Sequence, residues 1–218
     1  MVNSSCIKIL RIIENQVSKV SVPYVTMVSN RKGEPFRILV SCILSLRTRD
    51  DVTAKASESL FKIIKTPYDI LKLDTAEIAE IIYPVGFYRN KARVLRGIAQ
   101  IIVDKYNGRV PSNEEALLSF NGVGPKTANL VLGLGFGIPA ICVDTHVHRI
   151  SNRLGWVSTR NPYDTENALK GVIARKWWIR LNTILAAFGQ NICLPISPWC
   201  SRCEVRSYCR KKGVEKNR

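Results

Sequence analysis

The stretch GEPFRILVSCILSL begins a helix at Pro35, a residue the first helical turn tolerates, and then runs on with almost no polar break. A helix that apolar must be buried on most of its faces, so other elements have to pack around it. The rest of the chain supplies helical signals. In NSSCIKILRIIENQV, Ile9, Ile12, Ile13 and Val17 recur at helical spacing. Asp74 with Glu77, and Ser112 with Glu115, have the spacing of capping boxes, and NPYDTENALKGVIA presents Asn161 and Pro162 as a helix start. The strand-like piece VSVPYVTMV, Val20 to Val28, contains Pro23 and reads as a connector. The expectation is an all-α fold of at least seven helices, without repeats.

With 218 residues, 46% of them hydrophobic, the chain can fill one large or two small cores. Lys and Arg number 33 against 17 acidic residues, a net charge of +16 that calls for a polyanionic partner. No apolar run reaches the ~18 residues of a spanning helix, and MVNSSCIKILRIIENQV lacks the pattern of a signal peptide. A cytoplasmic, nucleoid-associated protein without membrane contact is expected. Cys6, Cys42 and Cys142 sit singly among apolar residues and read as small core side chains.

NGVGPKTAN, Asn121 to Asn129, looks like a phosphate-binding loop but fails both standard patterns. Pro125 and Phe120 stand where the P-loop needs glycine, and Thr127 stands where the dinucleotide pattern needs its third. With its neighbours NEEALLSF and KTANLVLGLGF, the turn reads as a helical hairpin, with Gly122 and Gly124 free to take positive φ and Pro125 at the first helical position. Its outward N–H groups suit one anion, and with this net charge the anion expected is a DNA phosphate. A plain helical corner fits the turn equally well.

Cys193, Cys200, Cys203 and Cys209 lie within 17 residues, spaced C-x6-C-x2-C-x5-C around Pro195, Pro198 and Trp199. Four soft ligands in one loop suit structural zinc or a [4Fe–4S] cluster, and two disulfides are a third reading. Zinc ribbons usually carry two paired knuckles, whereas Cys200 and Cys203 form the single pair here. His146 and His148 sit beside Asp144, but the i, i+2 spacing points helical side chains apart and weakens a metal reading. Asp144 also has the spacing of an N-cap for THVHRISNRL.

Taken together, GVGPKTAN, VDTHVHR and the four cysteines, with ILSLRTRDD and GFYRNKA as looser matches, resemble the endonuclease III family of the helix-hairpin-helix, Gly/Pro-rich loop, aspartate superfamily of DNA glycosylases. The resemblance covers nearly the whole chain. It implies a two-domain fold with a central helical barrel over residues 27–137 and a discontinuous domain of residues 1–26 plus 138–218. It also implies a monomeric bifunctional DNA glycosylase and AP lyase, which removes oxidised pyrimidines from double-stranded DNA and cuts at abasic sites. In it Lys126 attacks the anomeric carbon, and the resulting Schiff base nicks the strand by β-elimination. Asp144 accepts a proton or stabilises the oxocarbenium-like sugar.

By the same resemblance the four cysteines hold a [4Fe–4S] cluster, and Gly122, Gly124, Arg47, Phe87 and His146 lie against DNA, with phosphate contact or packing as the role of His146. Arg47 stands where relatives often carry glutamine, and Phe87 where a leucine wedge is common, so the opposite-base preference stays open. The chemistry makes a demand of its own. Only about one in 2,500 lysines of ordinary pKa is neutral at pH 7, and a three-unit depression costs about 4 kcal/mol. A helix N-terminus contributes about 0.3–1 kcal/mol of that, so desolvation by the DNA strand and neighbouring cations must supply the rest.

Three other functions remain open. They are a non-catalytic DNA-binding or redox-sensing protein, a mismatch-specific glycosylase of the same fold, and a metal hydrolase using Asp144, His146 and His148.

Overall fold

The computed structural model describes residues 4–20, 23–30 and 35–218, with the side chain of Asn30 outside the description. Met1, Val2, Asn3, Ser21, Val22, Gly33 and Glu34 of the stretches quoted above lie outside the described residues. The described residues form twelve α-helices with short 3₁₀ and π segments and no strand. They divide into two compact units, Tyr24–Ile138 and the pair of segments Met1–Pro23 and Pro139–Arg218. No helix among the described residues is long and apolar enough to cross a membrane.

Helix α1 (Ser4–Val17) belongs to the second of these units. The first contains α2 (Tyr24–Asn30), α3 (Pro35–Ser45), α4 (Asp50–Ile63), α5 (Pro67–Leu71), α6 (Thr75–Ile82), α7 (Tyr88–Tyr106), α8 (Glu114–Leu118) and α9 (Pro125–Leu130). As its composition demands, α3 is the central helix: every residue from Ile38 to Leu44 is buried. Helices α2, α4, α7 and α9 pack around it. Each fully buried Leu or Ile there contributes about 1.5–3 kcal/mol.

Three local readings need correction. Tyr24–Asn30 is helical, not part of a connector, because the Tyr24 N–H is held by the Asp50 carboxylate (3.0 and 3.2 Å) and Tyr24, Val25 and Val28 find a core to enter. The cap of α8 is Asn113, whose side chain accepts from the Ala116 N–H at 2.8 Å, and Ser112 plays no part in it. The helix after the glycine turn stays α-helical only to Leu130 and widens into a π-helix over Val131–Gly135. There a Cβ on Gly135 would sit 3.2 Å from Pro35, so the segment runs against the start of α3. The Asp74/Glu77 box at α6 forms as read.

The second unit adds α10 (Thr145–Leu154), α11 (Pro162–Val172) and α12 (Trp178–Asn191) to α1. Leu10 and Ile13 of α1, Val147 and Ile150 of α10, and Leu181, Leu185 and Phe188 of α12 share one core. Val205 joins it, which seats the cysteine segment on the helices. Asn161 caps α11 through the Asp164 N–H at 2.9 Å, with Pro162 at the first position. Cys6, Cys42 and Cys142 are buried, as expected of apolar side chains.

Candidate functional site

In the first unit the glycine turn joins α8 to α9. Its two glycines do different work. Gly122 has φ +80, and a Cβ there would come within 3.1 Å of Val94 Cγ1, so the turn needs glycine at this position. Gly124 is extended (φ −102), contrary to the positive φ expected of it, and nothing lies within 4 Å of where its Cβ would be. That space leaves the backbone at the start of α9 open to a ligand. Lys126 is exposed at the second position of α9, on a helix anchored by buried Thr127, Ala128 and Asn129. Beneath it lies Cys42 of α3, whose thiol is pushed up to about 12 by burial, with the charge of Lys126 opposing the shift. Cys42 is therefore a neutral neighbour of the amine.

Arg47 and Phe87 come from segments forty residues apart, yet the guanidinium of Arg47 lies 5.8 Å from the ring centroid of Phe87. Both are exposed, Phe87 by 64%, and both have left-handed backbones (φ 51 and 58). With Gly122, Lys91 and Val94 they line one groove of about 370 Å³. The structure thus brings together the hairpin and both intrusion candidates. An exposed Phe87 at the start of α7 is not a core residue.

Lys91 was missed from the sequence. It is only 6% exposed and donates to the Leu44 carbonyl (2.8 Å), the Leu46 carbonyl (2.5 Å) and Thr48 Oγ1 (2.9 Å). Burial holds its pKa down, to about 8 from 10.5. Above pH 8 the unfolded chain keeps a proton that the folded chain has released, so stability rises with pH from 8 to 10.5 as the cost of the buried charge is relieved. The expected gain of wild type over Lys91→Met across this window is at most about 3 kcal/mol. Denaturation midpoints of both proteins at pH 7.5 and pH 10 check it, and a gap that stays constant would contradict it.

In the second unit Asp144 caps α10: its Oδ1 accepts from the His146 N–H at 2.9 Å and the Val147 N–H at 2.8 Å. The cap holds the carboxylate in a fixed orientation, half-buried. The two histidines diverge. His146 Nδ1 meets the Arg149 guanidinium at 3.2 Å and packs so closely on Gly189 of α12 that a Cβ there would lie 2.4 Å from it. His148 Nδ1 pairs with Thr165 Oγ1 of α11 at 2.6 Å. Arg149 goes on to donate to the carbonyls of Gly189 (3.2 Å) and Cys193 (2.9 Å).

Cys193, Cys200, Cys203 and Cys209 line a single apolar cavity with Ile150, Leu154, Phe188 and Val205, and none is in a disulfide. Burial raises the Cys203 thiol to about 11 and pushes Cys209 up as well, so thiolates here need a bound cation. Among the described residues no three Cys, His, Asp or Glu side chains converge on one metal ion. All four cysteines nonetheless border the one cavity, so they are the residues that could hold a metal ion or a cluster here. Two N–H groups already point at them: Arg153 Nη1 at Cys193 Sγ (3.4 Å) and the Lys211 amide at Cys209 Sγ (3.3 Å). The basic segment after Cys209, with Arg210, Lys211, Lys212, Lys216 and Arg218, is fastened here too, by Ser201 N–H to the Arg218 carbonyl (2.8 Å) and Arg218 N–H to the Pro198 carbonyl (2.9 Å).

The family profile of the HhH-GPD superfamily base excision DNA repair protein matches residues 40–175. The chain is 46% identical over 195 residues to Endonuclease III of Thermotoga maritima, covering 87% of this chain and 92% of that protein. The chain belongs to the endonuclease III family of this superfamily. Endonuclease III homolog 1, chloroplastic, of Arabidopsis thaliana is 43% identical over 183 residues, 80% of this chain, but the chain spans only 48% of that relative's length. A solved structure described as a trapped Endonuclease III–DNA covalent intermediate, an estranged-adenine complex, matches with a TM-score of 0.83 at 32% identity, covering 97% of each chain.

Proposed function

We propose that the chain is a monomeric base-excision enzyme, a DNA glycosylase with AP lyase activity that removes oxidised pyrimidines from duplex DNA. The amine of Lys126 attacks C1′ of the damaged nucleotide, the bond to the base breaks, and the base leaves. The C1′–O4′ bond of the sugar then opens, with O4′ taking a proton, to leave a Schiff base, and loss of a C2′ proton from it expels the 3′ phosphate and nicks the strand. Asp144 takes up a proton from the attacking amine or faces the developing positive charge on the sugar. The turn at Gly122 and Gly124 receives a backbone phosphate on its open N–H groups. Arg47 and Phe87 occupy the gap left when the nucleotide is flipped out. His146, braced by Arg149, packs beside the strand.

One observation carries the reading. An exposed lysine stands at the second position of a helix entered through an open glycine turn, in a chain 46% identical to an Endonuclease III. The experiment is to incubate the protein with duplex DNA carrying thymine glycol, add borohydride and resolve the products on a denaturing gel. A covalent adduct supports the reading. Base release without an adduct means a monofunctional glycosylase, and absence of both means this lesion is not a substrate.

Cys193, Cys200, Cys203 and Cys209 fit a [4Fe–4S] cluster, which when bound would tie the C-terminal loop to α10 and α12. Metal analysis should find about four irons per chain, the content of such a cluster. Cys203→Ser is expected to lose iron and to expose the segment after Asn191 to protease. One zinc per chain in the wild type would overturn the assignment.

A further inference from the structure

We propose that Lys91 and Thr48 are positioning residues for strand intrusion, clamping the Arg47 segment to the Phe87 segment so that both side chains are presented together at the groove. The proposal rests on the reading of Arg47 and Phe87 as the intruding pair. Its geometry does not.

Two of the three acceptors of Lys91, the carbonyls of Leu44 and Leu46, lie in and just beyond the last turn of α3, where helix geometry leaves carbonyls without internal donors. An ammonium at a helix C-terminus also suits the negative end of the dipole. All three protons of the amine are used, and they come from a residue on α7 that lies 47, 45 and 43 positions further along the chain. The Thr48 hydroxyl is fully engaged as well. It donates to the Leu46 carbonyl at 3.2 Å and accepts from Lys91 and from the Gly86 N–H at 3.2 Å.

Gly86 closes the clamp: a Cβ there would lie 2.7 Å from the Arg47 carbonyl oxygen, so the two backbones touch. Both residues this arrangement holds, Arg47 and Phe87, have left-handed backbones, as do Asn107, Ser197 and Lys211 elsewhere among the described residues. Left-handed backbone at a non-glycine residue is costly and persists only where the surroundings enforce it. Arg47 adjoins Thr48, Phe87 adjoins Gly86, and each is bent outward next to its clamp point. A cap that served α3 alone would need neither the hydroxyl relay to Gly86 nor the backbone contact.

The test compares Lys91→Met, Thr48→Val and Thr48→Ser with wild type on one abasic oligonucleotide, single-stranded and in duplex, by rate of borohydride-trappable adduct formation. Only the duplex requires a nucleotide to be flipped and its place filled. Misplacing the intruding pair is expected to slow the duplex reaction about 10- to 100-fold, while the single strand stays within about 2-fold and Thr48→Ser matches wild type. Equal losses on both substrates, or no duplex loss in either Lys91→Met or Thr48→Val, would overturn the clamp. Should Lys91→Met fail to fold, Thr48→Val decides. Intrusion is also read without chemistry, by fluorescence of 2-aminopurine beside an uncleavable abasic analogue. A wild type that unstacks the probe but forms no adduct would remove the lyase reading, and loss of that signal in Thr48→Val would still support the clamp.

Discussion

Lys126→Gln is expected to form no borohydride adduct and to cut abasic DNA at least about a thousand-fold more slowly than wild type, while still binding duplex DNA. An amide cannot form the Schiff base through which β-elimination proceeds, so the lost step has no substitute in the side chain. Folding should be unaffected. Lys126 is exposed, and α9 is anchored by Thr127, Ala128 and Asn129. Binding changes by little, since removing one cation from a chain of net charge +16 reduces the salt dependence of affinity by about one counterion. Gel assays for scission and trapping, beside a salt titration of binding, separate the two effects. A variant that cut abasic DNA as fast as wild type would sink the nucleophile assignment.

Asp144→Asn should slow base release by about 10²- to 10⁴-fold, the usual worth of a positioned acid or base. Asparagine caps helices as well as aspartate does. The hydrogen bonds from the His146 and Val147 amides therefore survive the change, and with them the start of α10. The negative charge is the one property lost. Stability, followed by denaturant midpoint, should stay within about 0.5 kcal/mol, whereas Asp144→Ala should also lose about 1 kcal/mol from the missing cap. Base release followed over single turnovers decides. If the Asn variant releases base at the wild-type rate, the carboxylate serves α10 alone.

The features legible in the sequence are those whose partners are close in the chain. Asp144 as a cap, the Asp74/Glu77 box, Asn161 with Pro162, and the burial of the Ile38–Leu44 run all follow from spacings of a few residues. The cysteine loop is legible for the same reason, with its four sulfurs inside 17 residues. The errors arise where distant contacts override local preference. Val25 and Val28 have strand propensity but lie in a helix packed on α3, and the Tyr24 N–H is capped by Asp50, 26 residues away. Asn113 displaced Ser112 by one position, within the ordinary uncertainty of a helix start.

By itself, the sequence determined the all-helical class, the net charge of +16, the spacing of the four cysteines and, through GVGPKTAN and VDTHVHR, the family. Only the tertiary structure decided that Gly122 needs its glycine for conformation while Gly124 leaves open space, and that Phe87 is exposed beside Arg47. It alone revealed Lys91. Capping and ligand spacing are short-range properties written into neighbouring residues, whereas the convergence of three acceptors on one buried ammonium exists only once α7 has packed against the end of α3.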